Sequence, residues 1–146
     1  MQRVLSICTG NICRSPVAAA MLFAGLGGRN SAFFVASAGI GAVVGHPATA
    51  EAAETAAARG LDLSAHRAQQ LGAELAGDFE LLLVMEELHR SWVTRHIPQA
   101  RGRTFLLGHW RNVQIPDPFG HPLAYYEQIC QLIETCAGDW ISRLSA

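Results

Sequence analysis

The sequence contains little charge, and the charge it has is nearly balanced. Only 16% of its 146 residues are Asp, Glu, Lys or Arg, and the formal net charge is −1. Chains that bind nucleic acid or an anionic membrane surface usually carry a basic excess, so neither partner is predicted. Low charge and abundant alanine favour one compact α/β domain over residues 1–146, which is long enough to bury a sizeable core.

The chain also lacks a long uninterrupted apolar segment. The apolar run after Arg3 reaches Cys8 and Gly10 within a few residues, which is too short for a signal peptide or a membrane span. Residues 30–50 contain no Asp, Glu, Lys or Arg, but several glycines and a His-Pro pair interrupt them. This pattern favours a strand followed by a loop. We therefore expect a cytoplasmic protein without membrane insertion.

Cysteine is sparse and is not arranged for a structural metal. The four cysteines are Cys8, Cys13, Cys130 and Cys136. Without a secretory signal, reduced thiols are the expected state. No second Cys or His pair follows Cys8 and Cys13 at zinc-finger spacing, and the six histidines are dispersed. The sequence predicts neither a metal nor another cofactor.

Apolar runs and helix signals alternate along the chain. Strands are predicted at residues 4–8, 33–37, 80–85 and 103–107, and helices at 17–26, 47–59, 87–95 and 122–144. Ser15 is the expected N-cap of the first helix, with Pro16 in its first turn. Such alternation implies a parallel sheet with helices on both faces, whose ligands bind at the carboxyl ends of the strands. Cys8 lies at such an end.

The segment that follows the first strand has the composition of a phosphate-binding loop. It comprises Cys8, Thr9, Gly10, Asn11, Ile12, Cys13, Arg14 and Ser15. A cysteine and an arginine six residues apart are a weak signal alone, but here a strand precedes them and a Ser-Pro helix start follows. Such a loop can turn several backbone N–H groups toward one dianion, with the helix N-terminus behind them. Arg14 can bind two phosphate oxygens at once.

The same positive surroundings make Cys8 a candidate nucleophile. Helix N-termini and cations favour the thiolate form of cysteine, so we expect Cys8 to be ionised at neutral pH. A hydrogen bond from Ser15 can stabilise this thiolate and ease its departure from a phosphocysteine. The alternative interpretation is a buried structural thiol at the end of a strand.

A displacement at phosphorus also needs a proton donor for the leaving group. Asp117 stands between Pro116 and Pro118, which stiffen the segment around its carboxyl group. It is the candidate general acid, and then the base for the attacking water. The alternative is an ordinary solvated Pro-Asp-Pro turn.

These residues resemble the low-molecular-weight protein-tyrosine phosphatases over essentially the whole chain. Residues 8–16 match their signature loop, and Asp117-Pro118 matches their acid motif. The resemblance implies a doubly wound fold around a four-stranded parallel sheet, with Cys8 as nucleophile, Arg14 as phosphate ligand and Asp117 as acid. It also implies a supporting hydrogen-bond network of Asn11, Ser15, Ser37 and His66, and a reversible, protective disulfide between Cys13 and Cys8.

The expected pocket wall points to a bacterial subgroup of that family. Ile12 and Phe119 are expected to line the pocket, and Ile40, with Val43 beside it, to replace the aromatic residue that other members carry. These features most resemble phosphatases that act on autophosphorylating tyrosine kinases of exopolysaccharide or capsule export. The expected partners are therefore a phosphotyrosine protein, such as that autokinase, and phosphate or another oxyanion in the loop.

Other functions share parts of this pattern. A thioredoxin-coupled arsenate reductase would need further thiols, and none occurs between Cys13 and Cys130. A phosphocysteine carrier of a sugar-transport system needs no acid such as Asp117. Ile12, in a position where the related arginine phosphatases have threonine, favours phosphotyrosine over phosphoarginine.

Five further residues are open to simpler interpretations. His89 and His96 are seven residues apart and are predicted to mark a solvated helix face. Tyr125 and Tyr126 are predicted to be packing residues. Glu86 either braces the rim of the site or begins a helix, and the sequence leaves both open.

Overall fold

Four parallel strands form one sheet in the order β2-β1-β3-β4. The computed structural model describes residues 2–146. Its strands are β1 (Gln2–Cys8), β2 (Phe33–Gly39), β3 (Leu81–Val84) and β4 (Thr104–Leu106). The doubly wound α/β fold with a four-stranded parallel sheet is confirmed. Each predicted strand appears. The central strands β1 and β3 are largely buried on both faces, which leaves continuous apolar runs in the sequence.

Five α-helices connect and follow the strands. They are α1 (Arg14–Gly25), α2 (Ala50–Ala57), α3 (Ala73–Ala76), α4 (Glu87–His96) and α5 (Leu123–Leu144). Short 3-10 helices occur at Gly28–Asn30, Pro98–Arg103 and His109–Arg111. The second helix begins later than the predicted start at Pro47, because Thr49 is its N-cap and accepts a hydrogen bond from the Ala52 N–H at 3.2 Å.

The predicted N-cap of the first helix is wrong. Cys13 occupies that position and α1 already begins at Arg14, so Ser15 lies in the first turn. Its hydroxyl is buried and is used on Cys8 and Asn11 instead of a backbone N–H of the helix. Pro16 is in the first turn, as predicted, where its missing N–H removes no helical hydrogen bond.

The helices divide between the two faces of the sheet. Successive side chains of β3 point in opposite directions, so Leu83 joins the core under α1, α2 and α5. Leu82 and Val84 join the second core, together with Val93 of α4. Both cores therefore support the carboxyl end of β1, where Cys8 lies.

Three structural findings bear on the predicted absences. None of the helices described over residues 2–146 combines the length and the apolar character needed to cross a membrane. Within the same residues, no three His, Cys, Asp or Glu side chains cluster closely enough to hold a metal ion. All four cysteines are free thiols.

The end of β2 lies directly against the phosphate loop, and only glycine fits there. A Cβ on Gly39 would lie 2.4 Å from the Thr9 carbonyl oxygen and 3.1 Å from the Asn11 nitrogen. Gly39→Ala should therefore lower the free energy of unfolding by about 1–3 kcal/mol and lower kcat, because the loop must move. Urea denaturation and steady-state kinetics measure both effects.

A matched glycine gives the control for that substitution. A Cβ on Gly102 meets no atom within 4 Å, so Gly102→Ala should leave both quantities unchanged. Equal stability of the Gly39 and Gly102 variants would contradict this account of the loop.

Candidate active site

The loop between β1 and α1 turns its carbonyl groups outward. Each carbonyl oxygen from Cys8 to Ile12 accepts a hydrogen bond from outside the loop, at 2.6–3.0 Å. The donors, in order, are Ile40 N, Gly41 N, Val43 N, His66 Nε2 and Thr49 N. In a trans peptide unit the N–H points away from the C=O, so the amide groups of the loop face its interior. Among residues 2–146, no acceptor pairs with the backbone N–H groups of residues 9–13.

Asn11 holds the middle of the loop in its curled form. Its backbone has a φ of 59°, in the left-handed region that asparagine tolerates better than most residues. Its side-chain amide donates to Ser15 Oγ at 2.8 Å and to Ser37 Oγ at 3.0 Å. Its Oδ1 accepts from the backbone N–H of Gln69 at 2.9 Å. The structure thus brings Asn11, Ser15, Ser37 and His66 together and adds Gln69, which the sequence analysis missed.

Cys8 lies at the base of the loop and is only 3% exposed. Its Sγ is 2.9 Å from Ser15 Oγ. Because Ser15 Oγ already accepts a hydrogen bond from Asn11, its own proton is available to the sulfur. The contact is therefore suited to stabilising a negative charge on Cys8.

Arg14 is buried and is held on one side by protein atoms. Its Nη1 donates to Glu86 Oε2 at 2.6 Å and to the Ile115 carbonyl at 2.7 Å. Its Nε has no hydrogen-bond partner among residues 2–146, and its Nη2 is 3.8 Å from Asp117 Oδ2. Since a buried guanidinium N–H without an acceptor is costly, the Nε–Nη2 edge is ready for an oxyanion.

Glu86 has both of the functions that the sequence left open. It braces Arg14 through the ion pair, and it is the N-cap residue of α4. The pairing keeps the buried charge of Arg14 neutralised and its planar group fixed in one orientation.

The loop forms the floor of a cavity of about 220 Å³. It is lined by Cys8, Thr9, Gly10, Ile12, Cys13, Arg14, Gly41, Val43, Asp117 and Phe119. The carboxyl group of Asp117 is half exposed, and its Oδ1 accepts from the Phe119 N–H at 3.0 Å. Asp117 and Phe119 belong to the same short segment, so its backbone positions both the candidate acid and the aromatic wall of the cavity.

The expected position of Ile40 is wrong. Its side chain packs against the core on the α4 face of the sheet, and it is Val43 that lines the cavity. Ile40 directly follows β2 and still points to one face of the sheet, whereas Val43 belongs to the loop that folds over Gly10.

Cys13 shares the cavity with Cys8 but lies in different surroundings. Its Sγ is 3.5 Å from both Thr49 Oγ1 and Tyr126 Oη, and burial raises the pKa of its thiol. Cys13 is therefore a neutral thiol at neutral pH, and its disulfide with Cys8 stays a prediction. Tyr126 is buried in the core, and the partly buried Tyr125 packs against the same core.

The predicted solvated position of His89 is wrong, although His96 is exposed. His89 is fully buried at the start of α4. Its Nδ1 accepts from the Glu86 N–H at 3.0 Å, and its Nε2 is 2.9 Å from Thr9 Oγ1. Burial, followed by the positive charge of Arg14, lowers the pKa of His89 to about 4. The signal that could have found it is the Glu-x-x-His spacing after a strand, which closes a capping box.

The low pKa of His89 makes stability depend on pH. Between its folded pKa of about 4 and its ordinary value of 6.5, the unfolded chain binds more protons than the folded one. Stability therefore falls as the pH drops through this range, and His89 should contribute about 2 kcal/mol less at pH 5 than at pH 7.

The contribution of His89 is isolated by a variant. Urea denaturation of wild type and His89→Gln at the two pH values should show a shallower pH dependence in the variant. Identical slopes would contradict a neutral, buried His89 in the folded protein.

Comparison with known proteins agrees with this geometry. The model of the family described as "Low molecular weight phosphotyrosine protein phosphatase" matches residues 3–146. Low molecular weight protein-tyrosine-phosphatase Etp of Escherichia coli (strain K12) is 40% identical over 143 residues, which cover 97% of this chain and 94% of Etp.

Two solved structures are similar over nearly the whole chain. The tyrosine phosphatase Wzb from Escherichia coli K30, in complex with sulphate, is 39% identical with a TM-score of 0.92, covering 98% of both chains. Vibrio vulnificus Wzb, in complex with benzylphosphonate, is 37% identical with a TM-score of 0.91, covering 97% of this chain and 98% of the other. The chain therefore belongs to the low molecular weight phosphotyrosine protein phosphatase family.

Proposed function

We propose that this chain hydrolyses phosphotyrosine in proteins through a phosphocysteine intermediate on Cys8. The observation that carries the proposal is the loop whose carbonyls all point outward, with the Cys8 sulfur at its base. Backbone N–H groups and the free edge of Arg14 then converge on the space above that sulfur. Preorganised donors of this kind stabilise the charge that builds up on a phosphoryl group during its transfer.

In the first step the Cys8 sulfur attacks phosphorus in line with the tyrosine oxygen. The sulfur–phosphorus bond forms as the phosphorus–oxygen bond to tyrosine breaks. Asp117, at the mouth of the cavity, gives its proton to the departing phenolate oxygen. The equatorial oxygens are held by the loop N–H groups and by Nε and Nη2 of Arg14.

In the second step water releases the phosphate. The Asp117 carboxylate takes a proton from the water as the water oxygen attacks phosphorus. The sulfur–phosphorus bond breaks in the same step. The Ser15 hydroxyl, 2.9 Å from the sulfur, stabilises the departing thiolate. The positive charge comes from Arg14 and the amide groups, so the proposal predicts turnover that survives a metal chelator.

The apolar wall of the cavity supports an aromatic substrate. Ile12, Val43 and Phe119 line it, and Phe119 is exposed at the entrance, where it can contact a phenyl ring. The Wzb of Vibrio vulnificus is described in complex with benzylphosphonate, a phosphonate with an aromatic ring. We infer that the tyrosine ring lies against this wall while its phosphate reaches Arg14, which the shorter phosphoserine cannot do.

As the physiological substrate we propose a tyrosine autokinase of exopolysaccharide or capsule export, in the cytoplasm. The sequence features that resemble the bacterial subgroup support this proposal, together with the identity to bacterial relatives. Purified phosphorylated autokinase should lose its phosphotyrosine when the enzyme is added, and should keep it with Cys8→Ser.

A panel of phosphopeptides tests the reaction itself. Peptides with phosphotyrosine, phosphoarginine or phosphoserine are incubated with the enzyme and a chelator, with Cys8→Ser alongside. We expect hydrolysis of phosphotyrosine alone, and none by the variant. Preferred hydrolysis of phosphoarginine would favour an arginine phosphatase, and a stable phosphocysteine in the wild type would favour a phosphocarrier.

The acid role of Asp117 predicts a dependence on the leaving group. Asp117→Asn should slow hydrolysis of phosphotyrosine by about 10²–10⁴-fold, since phenolate is a poor leaving group without a proton. An aryl phosphate with a strongly activated leaving group should be slowed much less. Steady-state kinetics on both substrates measures the difference.

The control is an exposed aspartate that precedes the amino end of β3, whereas the cavity lies at the carboxyl end of the sheet. Asp78→Asn, at a site outside the cavity, should leave both rates unchanged. Equal slowing of both substrates by Asp117→Asn would remove its role as the acid.

A further inference from the structure

The N-terminal end of α4, including its N-cap residue Glu86, contacts Arg14 and Thr9 of the phosphate-binding segment. The first contact is the Glu86 ion pair, and the second is the short distance between His89 Nε2 and Thr9 Oγ1. We propose that His89 is a positioning residue for the phosphatase reaction, which acts by holding the Thr9 hydroxyl beside Cys8. The proposal rests on the proposed function, because it concerns how that site is held in its reactive form.

The hydrogen bonds of His89 permit only one neutral form of its ring. Nδ1 accepts from the Glu86 N–H, so the ring proton is on Nε2, which donates to Thr9 Oγ1. The ring is fully buried, so it cannot turn away without leaving both partners unpaired. His89 therefore fixes the direction of the Thr9 side chain.

The His89 contact fixes the residue next to the nucleophile. Thr9 follows Cys8 in the chain and lines the same cavity. Its carbonyl is bound to the Gly41 N–H, and its hydroxyl oxygen accepts from His89, so the residue is held at two points. Because the hydroxyl accepts from His89, its own proton is free to donate to a polar group inside the cavity.

His89 also links this point to the other end of the loop. By accepting from the Glu86 N–H it closes the capping box that fixes the backbone of Glu86. The Glu86 carboxylate in turn binds Arg14 at 2.6 Å. One imidazole therefore couples the position of Thr9, beside the sulfur, to that of the arginine.

The test uses substitutions that change the contact with little change in shape. Thr9→Val removes the hydroxyl and should lower kcat for a phosphotyrosine peptide by about tenfold, with KM changed less than about twofold. Thr9→Ser keeps the hydroxyl and should retain at least about half of the wild-type kcat. His89→Gln removes the Thr9 contact and also the Glu86 contact, so it should lower kcat at least as much as Thr9→Val. His96→Gln, on the same helix but exposed, should match wild type.

The double variant decides whether the two residues act together. If the contact is the cause, Thr9→Val with His89→Gln should be no slower than the slower single variant. The proposal would be overturned if the loss of kcat in the double variant equalled the product of the two single losses. It would also be overturned if Thr9→Val kept the wild-type kcat.

Ring nitrogen signals in NMR give a readout independent of turnover. Wild type should show His89 neutral with its proton on Nε2 at pH 7, and Thr9→Val should shift that nitrogen's signal. A wild-type ring protonated on Nδ1 would overturn the proposal. A wild type that leaves phosphotyrosine intact would instead refute the proposed function, and the nitrogen signals would still decide the Thr9–His89 contact.

Discussion

Cys8→Ser should reduce phosphotyrosine hydrolysis by about 10⁴-fold or more, because the serine hydroxyl is not ionised near neutral pH and is a far weaker nucleophile. The substitution changes one atom at the base of the loop and leaves its outward carbonyl hydrogen bonds in place. The loss should therefore appear in kcat. Steady-state kinetics on a phosphotyrosine peptide measures it.

Binding and stability separate this effect from a damaged fold. Cys8→Ser should still bind inorganic phosphate, since the loop N–H groups and Arg14 are unchanged. Cys136 lies in the core outside the cavity, so Cys136→Ser should lower stability but keep wild-type kcat per folded molecule. Phosphotyrosine turnover by Cys8→Ser close to the wild-type rate would contradict the role of the sulfur.

Arg14→Lys should lower kcat/KM by about 10³-fold, since a lysine cannot offer two parallel N–H groups to a phosphoryl group. In the wild type, Nη1 is occupied by Glu86 and the Ile115 carbonyl, Nε has no partner among residues 2–146, and Nη2 lies 3.8 Å from Asp117 Oδ2. A single ammonium group cannot satisfy both sets of partners. It would remain near Glu86 and leave the bound oxyanion with fewer donors.

An exposed arginine provides the matched control. Arg111 pairs with Asp139 at the surface at 2.8 Å, and Arg111→Lys should leave kcat/KM unchanged. The affinity for inorganic phosphate should fall in the Arg14 variant and not in the Arg111 variant. If both lysine variants were equally active, the bidentate role of Arg14 would be wrong.

The central strands of the sheet were well predicted from the sequence, because a strand buried on both faces has a continuous run of apolar residues. Residues 80–85 gave β3 almost to the residue, since a central strand needs apolar side chains at every position. The four-residue helix α3 was missed because one turn is too short to show a helical period. The start of α2 was misplaced because proline and threonine two residues apart can each mark a helix N-terminus.

The residues that carry out the reaction could be predicted from the sequence, whereas several residues that line the cavity or hold the loop could not. Cys8, Arg14 and Asp117 could be identified from residue type and spacing, and the structure brings them to one cavity. The directions of Ile40 and Val43 depend on how the backbone turns after β2, which no side-chain pattern specifies. Gln69 supports Asn11 through its backbone N–H and donates its side-chain amide to the Ser37 carbonyl at 2.9 Å, and no spacing or motif in the sequence specifies either contact.

His89 shows why spacing alone can mislead. Residues seven apart share a helix face, so His89 and His96 suggested one solvated stripe. His89, however, lies in the first turn of α4, beside the phosphate loop, while His96 is at the exposed far end. Burial at a helix end depends on the neighbouring loop rather than on the helical period.

The central claim is that the phosphoryl group passes through the sulfur of Cys8. Rapid acid quenching of Asp117→Asn during turnover of an activated aryl phosphate, followed by peptide mass spectrometry, tests it directly. We predict one added phosphoryl group, on the peptide that contains Cys8, at early times. Release of phosphate with Cys8 unmodified throughout, or a phosphoryl group on another residue, would contradict the account.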